Sequence, residues 1–305
     1  MVLFNRTPTM ARFAPDTLRI AAVQMRCGED REENLRRAVE FIRAAGEQGA
    51  RIVCLPELFC TQYFCQREDP ALFDLAEPIP GSTTDALGRA AAAAQVAVIG
   101  SVFERRAPGL YHNTAVVFEA DGQLCGVYRK LHIPHDPLYF EKYFFTPGDL
   151  GVRVLSLRGW KVSVLVCWDQ WFPEAARLAA LAGAEVVFYP TAIGWHPSEK
   201  AEHGVDQYTA WQTVQRGHAV ANGMFVVACN HVGMEGSLEF WGGSFVCDPF
   251  GRLLAQASHD REELLLADLS RATIEDTRRN WPFLRDRRVD VYSGLLKRYL
   301  DEEPQ

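Results

Sequence analysis

The strongest constraint on this chain is an alternation. Strand-sized runs rich in apolar and β-branched residues recur along it, with helical spacing in most of the gaps between them. The strand-like runs are Leu18 to Val23, Arg51 to Leu55, Val96 to Phe103, Asn113 to Glu119, Lys161 to Val166, Val186 to Tyr189, Met224 to Cys229, Gly243 to Val246 and Leu264 to Asp268. Helical patterning covers Arg31 to Gln48, Thr83 to Ala94, Pro173 to Ala182, Val205 to Asn222 and Ser270 to Asn280. Such alternation predicts an α/β layered domain, because each strand needs a helix or a second sheet to cover its apolar face. A chain of 305 residues with 48% hydrophobic content can bury a large core, and no linker-like composition divides it.

Charge and cysteine usage narrow the function classes. A net charge of −7 leaves no basic footprint, so nucleic acid is not an expected partner. The longest apolar stretches are strand-sized and interrupted by charge, which argues against a membrane span. Met1 to Asp16 carries scattered Arg and Pro without an apolar core and reads as a flexible N-terminal extension rather than a secretory signal. The cysteines, at 27, 54, 60, 65, 125, 167, 229 and 247, contain no Cys-x-x-Cys pair, and several lie inside strand-like runs. They read as reduced thiols of a cytoplasmic protein. The cluster Cys54, Cys60 and Cys65 matches no zinc spacing, so no metal is expected, and His132 and His135 read as satisfied loop histidines.

Three strand-like runs end on groups capable of chemistry. Lys161 to Val166 stops at Cys167, and the helix expected from Pro173 follows after Trp168-Asp169-Gln170-Trp171-Phe172. A thiol on a strand-to-helix turn is open to a carbonyl substrate, and helix-terminal N–H groups can favour its thiolate form. A buried structural cysteine is the alternative. Arg51 to Leu55 delivers Glu57 inside apolar sequence, where a carboxylate must be paired, protonated or functional; a first-turn helix position is the alternative. Lys130 follows the alternating stretch Gly122 to Val127, and taken alone it reads as part of a solvated basic turn.

Together, Pro56-Glu57-Leu58, Arg129-Lys130-Leu131-His132 and Val166-Cys167-Trp168-Asp169 resemble the nitrilase superfamily of carbon–nitrogen hydrolases. The resemblance runs from about Ile20 to Tyr292. It includes Tyr189-Pro190-Thr191-Ala192-Ile193-Gly194, Gln215 to Asn222, Phe240-Trp241-Gly242-Gly243-Ser244 and Phe283 to Arg288. It implies a four-layer α-β-β-α sandwich whose hydrolase domain spans residues 17–280. Cys167 is implied as nucleophile, Glu57 as general base and acid, and Lys130 with the Trp168 backbone N–H as oxyanion donors. Glu141, in Phe140-Glu141-Lys142, resembles the additional glutamate of family amidases; a surface ion pair with Lys142 is its alternative. No metal or organic cofactor is implied. Members of the family pair through helical faces, so a homo-oligomer built from dimers is expected, with the tail 281–305 at a subunit interface.

Within the family, the segment Cys167 to Glu174 and Pro190-Thr191-Ala192-Ile193-Gly194 are closest to the N-carbamoylputrescine amidases. Asp169 and Gln170 stand where relatives that hold a substrate carboxylate carry arginines, and neither can clamp a carboxylate. The expected partner is therefore a small N-carbamoyl amine, with Glu199, Glu202, Trp195 and Tyr63 as candidate contacts for its amine. Alternatives are an ω-amidase, an aliphatic amidase or a β-ureidopropionase-like enzyme. A non-catalytic binding scaffold and a redox-sensing thiol protein are alternatives from other classes.

Overall fold

The structure, a computed structural model, describes residues 16–300; the expected N-terminal extension, apart from Asp16, and residues 301–305 lie outside them. One six-stranded sheet contains β1 (Thr17–Gln24), β2 (Ile52–Cys54), β3 (Ala97–Ala107), β4 (Leu110–Phe118) and β5 (Leu124–Arg129), with β15 (Glu263–Ser270) at its edge in the order β15-β1-β2-β3-β4-β5. A second contains β6 (Val154–Leu157), β7 (Trp160–Val164), β8 (Val186–Pro190), β10 (Phe225–Cys229), β13 (Phe245–Cys247) and β14 (Leu253–Gln256), in the order β14-β13-β10-β8-β7-β6. β9 (Gly194–Trp195), β11 (Val232–Glu235) and β12 (Leu238–Trp241) form a small third sheet. The helices are α1 (Arg31–Glu47), α2 (Ser82–Ala94), α3 (Glu141–Phe144), α4 (Pro173–Leu181), α5 (Lys200–Asn222) and α6 (Arg271–Asn280).

Side-chain alternation explains the layering. In β1, Leu18, Ile20 and Ala22 join a core shared with Val162, Val186 and Val226 of the second sheet. Ala21 and Val23 point the other way and join Ala38 and Ile42 of α1 and Leu87 and Ala91 of α2. Because strand side chains alternate faces, one strand serves two cores and is apolar on both faces from Ile20 to Val23. Ala175, Ala176 and Ala179 of α4 and Trp211 and Ala219 of α5 cover the second sheet. The result is the expected α-β-β-α order. α1 begins where Asp30 Oδ1 accepts from the backbone N–H groups of Glu32 (2.9 Å) and Glu33 (3.1 Å), which satisfies donors the first turn cannot bond internally.

The parallel pairs β1–β2, β2–β3, β7–β8 and β8–β10 are those joined by helical crossovers, and the remaining pairs in both large sheets are antiparallel. Two differences from the sequence reading stand out. α5 starts at Lys200, ahead of the expected Val205, and β6, β9, β11, β12 and β14 were not foreseen. Among the described residues no helix is long and apolar enough to cross a membrane. All eight cysteines are free thiols.

Candidate active site

Glu57 lies three residues beyond β2, where the chain turns sharply: Leu58 adopts a left-handed φ of 49°. A side chain in that region costs on the order of 1 kcal/mol, so the surroundings must hold it there. They do so with several hydrogen bonds. The N–H of Glu57 donates to the Thr191 carbonyl (3.4 Å), and that of Leu58 donates to Ser101 Oγ (3.2 Å). Glu57 Oε1 accepts from Asn113 Nδ2 (2.6 Å) and Lys130 Nζ (2.8 Å). Glu57 Oε2 is buried without a hydrogen-bond partner among the described residues.

Lys130 directly follows β5 and is registered on β4, where its N–H donates to the Asn113 carbonyl (2.9 Å). Its ammonium bridges Glu57 and Glu141, donating to Glu141 Oε2 at 2.6 Å. Glu141 opens α3, and its Oε1 accepts from Tyr63 OH (2.7 Å). Glu57, Lys130 and Glu141 have no solvent exposure at all. The surface pairing of Glu141 with Lys142 is thereby replaced by an interior one with Lys130.

Cys167 starts a tight 3₁₀ turn, Cys167–Trp171, with a left-handed φ of 44°. Asp169 holds that turn and ties it to the lysine segment. Its carboxylate accepts from the N–H of Val166 (2.9 Å), the N–H of His132 (2.9 Å) and Tyr128 OH (2.7 Å). The same carboxylate lies 2.7 Å from His132 Nδ1, and the His132 ring stacks on Phe172 with centroids 3.7 Å apart. Cys167 Sγ donates to the Ala192 carbonyl at 3.7 Å.

The electrostatics differ from the expectation of a thiolate favoured by a helix terminus. Burial, reinforced by the Glu57 carboxylate, pushes the Cys167 thiol well above the usual range, and Lys130 only partly opposes this. A thiol of that kind needs a base. For Lys130, burial disfavours the ammonium, but the Glu141 and Glu57 carboxylates outweigh it and the group stays charged. Burial raises Glu141 to about 7 against the opposing pull of Lys130.

A cavity of about 670 Å³ opens onto Cys167. Trp168 and Glu141 line it near the thiol, and Asp136, His196, Glu199 and Gln207 contribute polar groups. Its lining includes no lysine or arginine. Glu199 Oε2 accepts from Gln207 Nε2 (2.7 Å). The other sequence-derived contacts lie elsewhere. Tyr63 is buried behind Glu141, and Glu202 has a side chain 81% exposed, 3.6 Å from His203. Trp195 is not in the cavity lining: its Nε1 donates to the Gly204 carbonyl (2.9 Å), and Lys200 Nζ sits 4.5 Å from its ring centroid. Gly194, by contrast, is required by packing, since a Cβ there would come within 2.3 Å of the Glu239 carbonyl oxygen.

Sequence reasoning missed Asn113, Asp136 and Tyr139, and it weighed Asp169 only as a poor carboxylate clamp. Tyr139 OH accepts from the N–H of Gly194 (3.0 Å) and lies against the cavity. Asn113 left a weak signal, as the middle of three consecutive polar residues, His112 to Thr114, just before the apolar run Ala115 to Phe118. Asp136 and Tyr139 left none, because their place in the cavity depends on how a loop folds over it.

Comparison with known proteins identifies the family. The carbon-nitrogen hydrolase family matches residues 19–279. An N-carbamoylputrescine amidase of Solanum lycopersicum is 41% identical over 91% of this chain and 94% of its own length. A citrullinase of Francisella tularensis is 37% identical over 92% of this chain and 99% of its own. The crystal structure of a carbon-nitrogen hydrolase from Helicobacter pylori G27 superposes with a TM-score of 0.89 at 44% identity, covering 93% of this chain and 100% of that one. The chain therefore belongs to the carbon–nitrogen hydrolase family of the nitrilase superfamily, as a hydrolase of carbon–nitrogen bonds other than peptide bonds.

Proposed function

We propose that this chain is an N-carbamoylputrescine amidohydrolase, converting N-carbamoylputrescine and water to putrescine, carbon dioxide and ammonia in the agmatine route to polyamines. The observation that carries the substrate assignment is the cavity lining. Glu141 is already paired with Lys130, but Asp136 and Glu199 add carboxylates and no lysine or arginine lines the cavity beside them, which suits an ammonium tail and disfavours a carboxylate one. Asp136 and Glu199 are the groups best suited to meet the distal amine.

The chemistry divides a resistant bond into two easier steps. Glu57 takes the Cys167 proton as the sulfur attacks the carbamoyl carbon. The negative oxygen that forms is stabilised by Lys130 Nζ and the backbone N–H of Trp168. Glu57 then returns the proton to the departing NH₂ group, which leaves as ammonia, and a thiocarbamate remains on Cys167. Water, losing a proton to Glu57, attacks that carbon and expels the sulfur, which regains the proton. The carbamic acid released breaks down to carbon dioxide and the free diamine. Glu141 holds Lys130 in place throughout, and the unpartnered Glu57 Oε2 is the atom free to move protons.

Ammonia release from N-carbamoylputrescine, N-carbamoyl-β-alanine, citrulline, a short aliphatic amide and a nitrile tests the reading. The expected kcat/KM for N-carbamoylputrescine exceeds that for the two carboxylate-bearing compounds by about tenfold or more. Equal or faster turnover of citrulline or N-carbamoyl-β-alanine overturns the substrate assignment.

A further inference from the structure

Glu57 is also held from its main chain, by residues distant in sequence. His231 Nε2 lies 2.5 Å from the Glu57 carbonyl oxygen, and His231 Nδ1 lies 2.7 Å from Glu235 Oε1. His231 and Glu235 are fully buried, with at most 1% exposure. A carbonyl oxygen carries no proton, so Nε2 must donate to it. The facing carboxylate at Nδ1 then either accepts a second proton from the ring or supplies one to it. In both cases Nε2–H stays aimed at Glu57. Burial works against a charged ring, but Cys27 and Glu235 hold His231 well above the ordinary histidine range.

Glu235 has a second attachment. Its Oε2 accepts from the N–H of Tyr63 (2.8 Å), and Tyr63 OH donates to Glu141. One buried carboxylate is thus linked through His231 to the main chain of Glu57 and through Tyr63 to the side chain of Glu141, the two acids that flank Lys130. Cys27, His231 and Glu235 also place ligand-type atoms within 4.8 Å of one another. Both ring nitrogens of His231 are already committed to oxygen partners, which favours a hydrogen-bonded clamp over a metal site.

We propose that His231, oriented by Glu235, is a positioning residue for Glu57: its Nε2–H fixes the peptide between Glu57 and the left-handed Leu58, and so aims the Glu57 carboxylate at Cys167. The inference rests on the proposed role of Glu57 as base. Without the clamp, the peptide is free to relax toward ordinary backbone angles and carry the carboxylate off line. Small displacements of a proton acceptor cost rate more than binding, because they act on the reacting geometry.

The test compares wild type, His231→Ala, Glu235→Gln and Glu57→Gln as full-length proteins, with folding checked by circular dichroism and thermal melting. Two readouts are needed: steady-state ammonia release, and the rate of Cys167 alkylation by iodoacetamide at neutral pH, which requires no assumption about substrate. His231→Ala is expected to lower kcat by on the order of tenfold to a hundredfold, to leave KM within about threefold, and to slow alkylation by a similar factor to kcat. Glu235→Gln should move the same quantities in the same direction by less, and it carries the test if His231→Ala does not fold. His231→Arg, which can donate to both the carbonyl and the carboxylate, should recover part of the lost kcat. The proposal falls if folded His231→Ala and Glu235→Gln both match wild type in kcat and alkylation, or if only KM rises. Stoichiometric zinc in the purified protein, lost in both variants, also overturns it in favour of a metal site. If Glu57→Gln alkylates as fast as wild type, the base assignment fails and this inference fails with it. Failure of wild type to turn over any N-carbamoyl amine would strike the substrate assignment alone.

Discussion

The active-site cluster and the C-terminal tail depart from the usual distribution of residues in opposite directions. Glu57, Lys130 and Glu141 place three ionisable groups at zero exposure, whereas Trp281, Tyr292, Leu296 and Tyr299 place apolar side chains on the outside, Leu296 at 94%. Removing a charge from water costs several kcal/mol, which the cluster offsets internally: one ammonium serves two carboxylates, and Asn113 and Tyr63 supply further donors. The tail has much less internal compensation. Trp281 meets Phe250 and Phe283, and Arg287 lies over Tyr292, yet Val289, Val291, Leu295, Leu296 and Tyr299 remain largely exposed. Costly groups paired in the interior, with only Glu57 Oε2 left without a partner among the described residues, point to chemistry, and apolar groups left exposed point to association. We propose on that basis that residues 17–280 form the hydrolase domain and that the tail joins subunits.

The sharpest way to break the first half of this comparison is to remove the thiol. Cys167→Ala should lower kcat by on the order of 10⁴-fold or more while shifting the melting temperature little, because the proposed nucleophile is lost and hardly any packing changes. Comparable ammonia release by the purified variant would end the assignment of Cys167. Lys130→Ala should behave differently and cost both activity and stability. Loss of an oxyanion donor lowers kcat about a hundred- to a thousandfold, and two buried carboxylates left without their cation destabilise the fold by about 3–5 kcal/mol. Combined with Cys167→Ala, its effect on rate should be far from additive, since the groups act as one unit. A Lys130→Ala protein as stable as wild type would mean that the cluster is not electrostatically closed.

Glu141 provides a pH test of the same closure. Its carboxyl is raised from 4.5 to about 7, first by burial, so the native state holds a proton that the unfolded chain has released over that interval. The stability tied to this proton is fully present below about pH 4.5 and is lost as pH rises through 7. Glu141→Gln cannot titrate. Relative to that variant, wild type should therefore lose on the order of 2–3 kcal/mol between pH 4.5 and 8 in denaturant melts. Parallel stability curves for the two proteins would show that Glu141 does not titrate within that window.

The tail half of the comparison is tested by truncation after Arg279, followed by size-exclusion chromatography with light scattering. The full chain should run as a dimer or larger at micromolar concentration, and the truncated chain should shift toward the monomer with only a modest loss of melting temperature. A monomeric full-length protein refutes association, and an unchanged oligomer after truncation removes the tail from the interface.

What could be read in the sequence, and what could not, divides along similar physical lines. Strands with stretches buried on both faces, such as residues 20–24 of β1 and 97–104 of β3, announce themselves as largely apolar runs, and helices such as Arg31–Glu47 by period and cap. Gly194–Trp195 and Val232–Glu235 are too short for any periodicity, and their pairing depends on a register set from afar. The same holds in the site. Glu57, Lys130 and Cys167 each end an apolar run, so they stand out as costly residues. Asn113 and His231 reach Glu57 across 56 and 174 residues and Tyr63 reaches Glu141 across 78, and no local pattern encodes such contacts. Trp195 reads as open to a cation in sequence because nothing there indicates that Lys200, five residues on at the start of α5, occupies its face.

The smallest expected effect concerns the cavity mouth, where the charge comparison is finest. Glu199 lines the cavity and is held by Gln207, whereas Glu202 projects into solvent, so only the first is placed to meet a substrate amine. Contact with a partly solvated carboxylate is worth little more than a charge-assisted hydrogen bond. Glu199→Gln should accordingly raise KM for N-carbamoylputrescine by only about three- to tenfold, leave kcat nearly unchanged, and leave KM for a neutral-tailed analogue of equal length unaltered. Glu202→Gln should change neither constant. Equal effects of Glu199→Gln on both substrates would move the anchor to Asp136, the other lining carboxylate not committed to Lys130, since the ammonium tail would then not be reading the charge at 199.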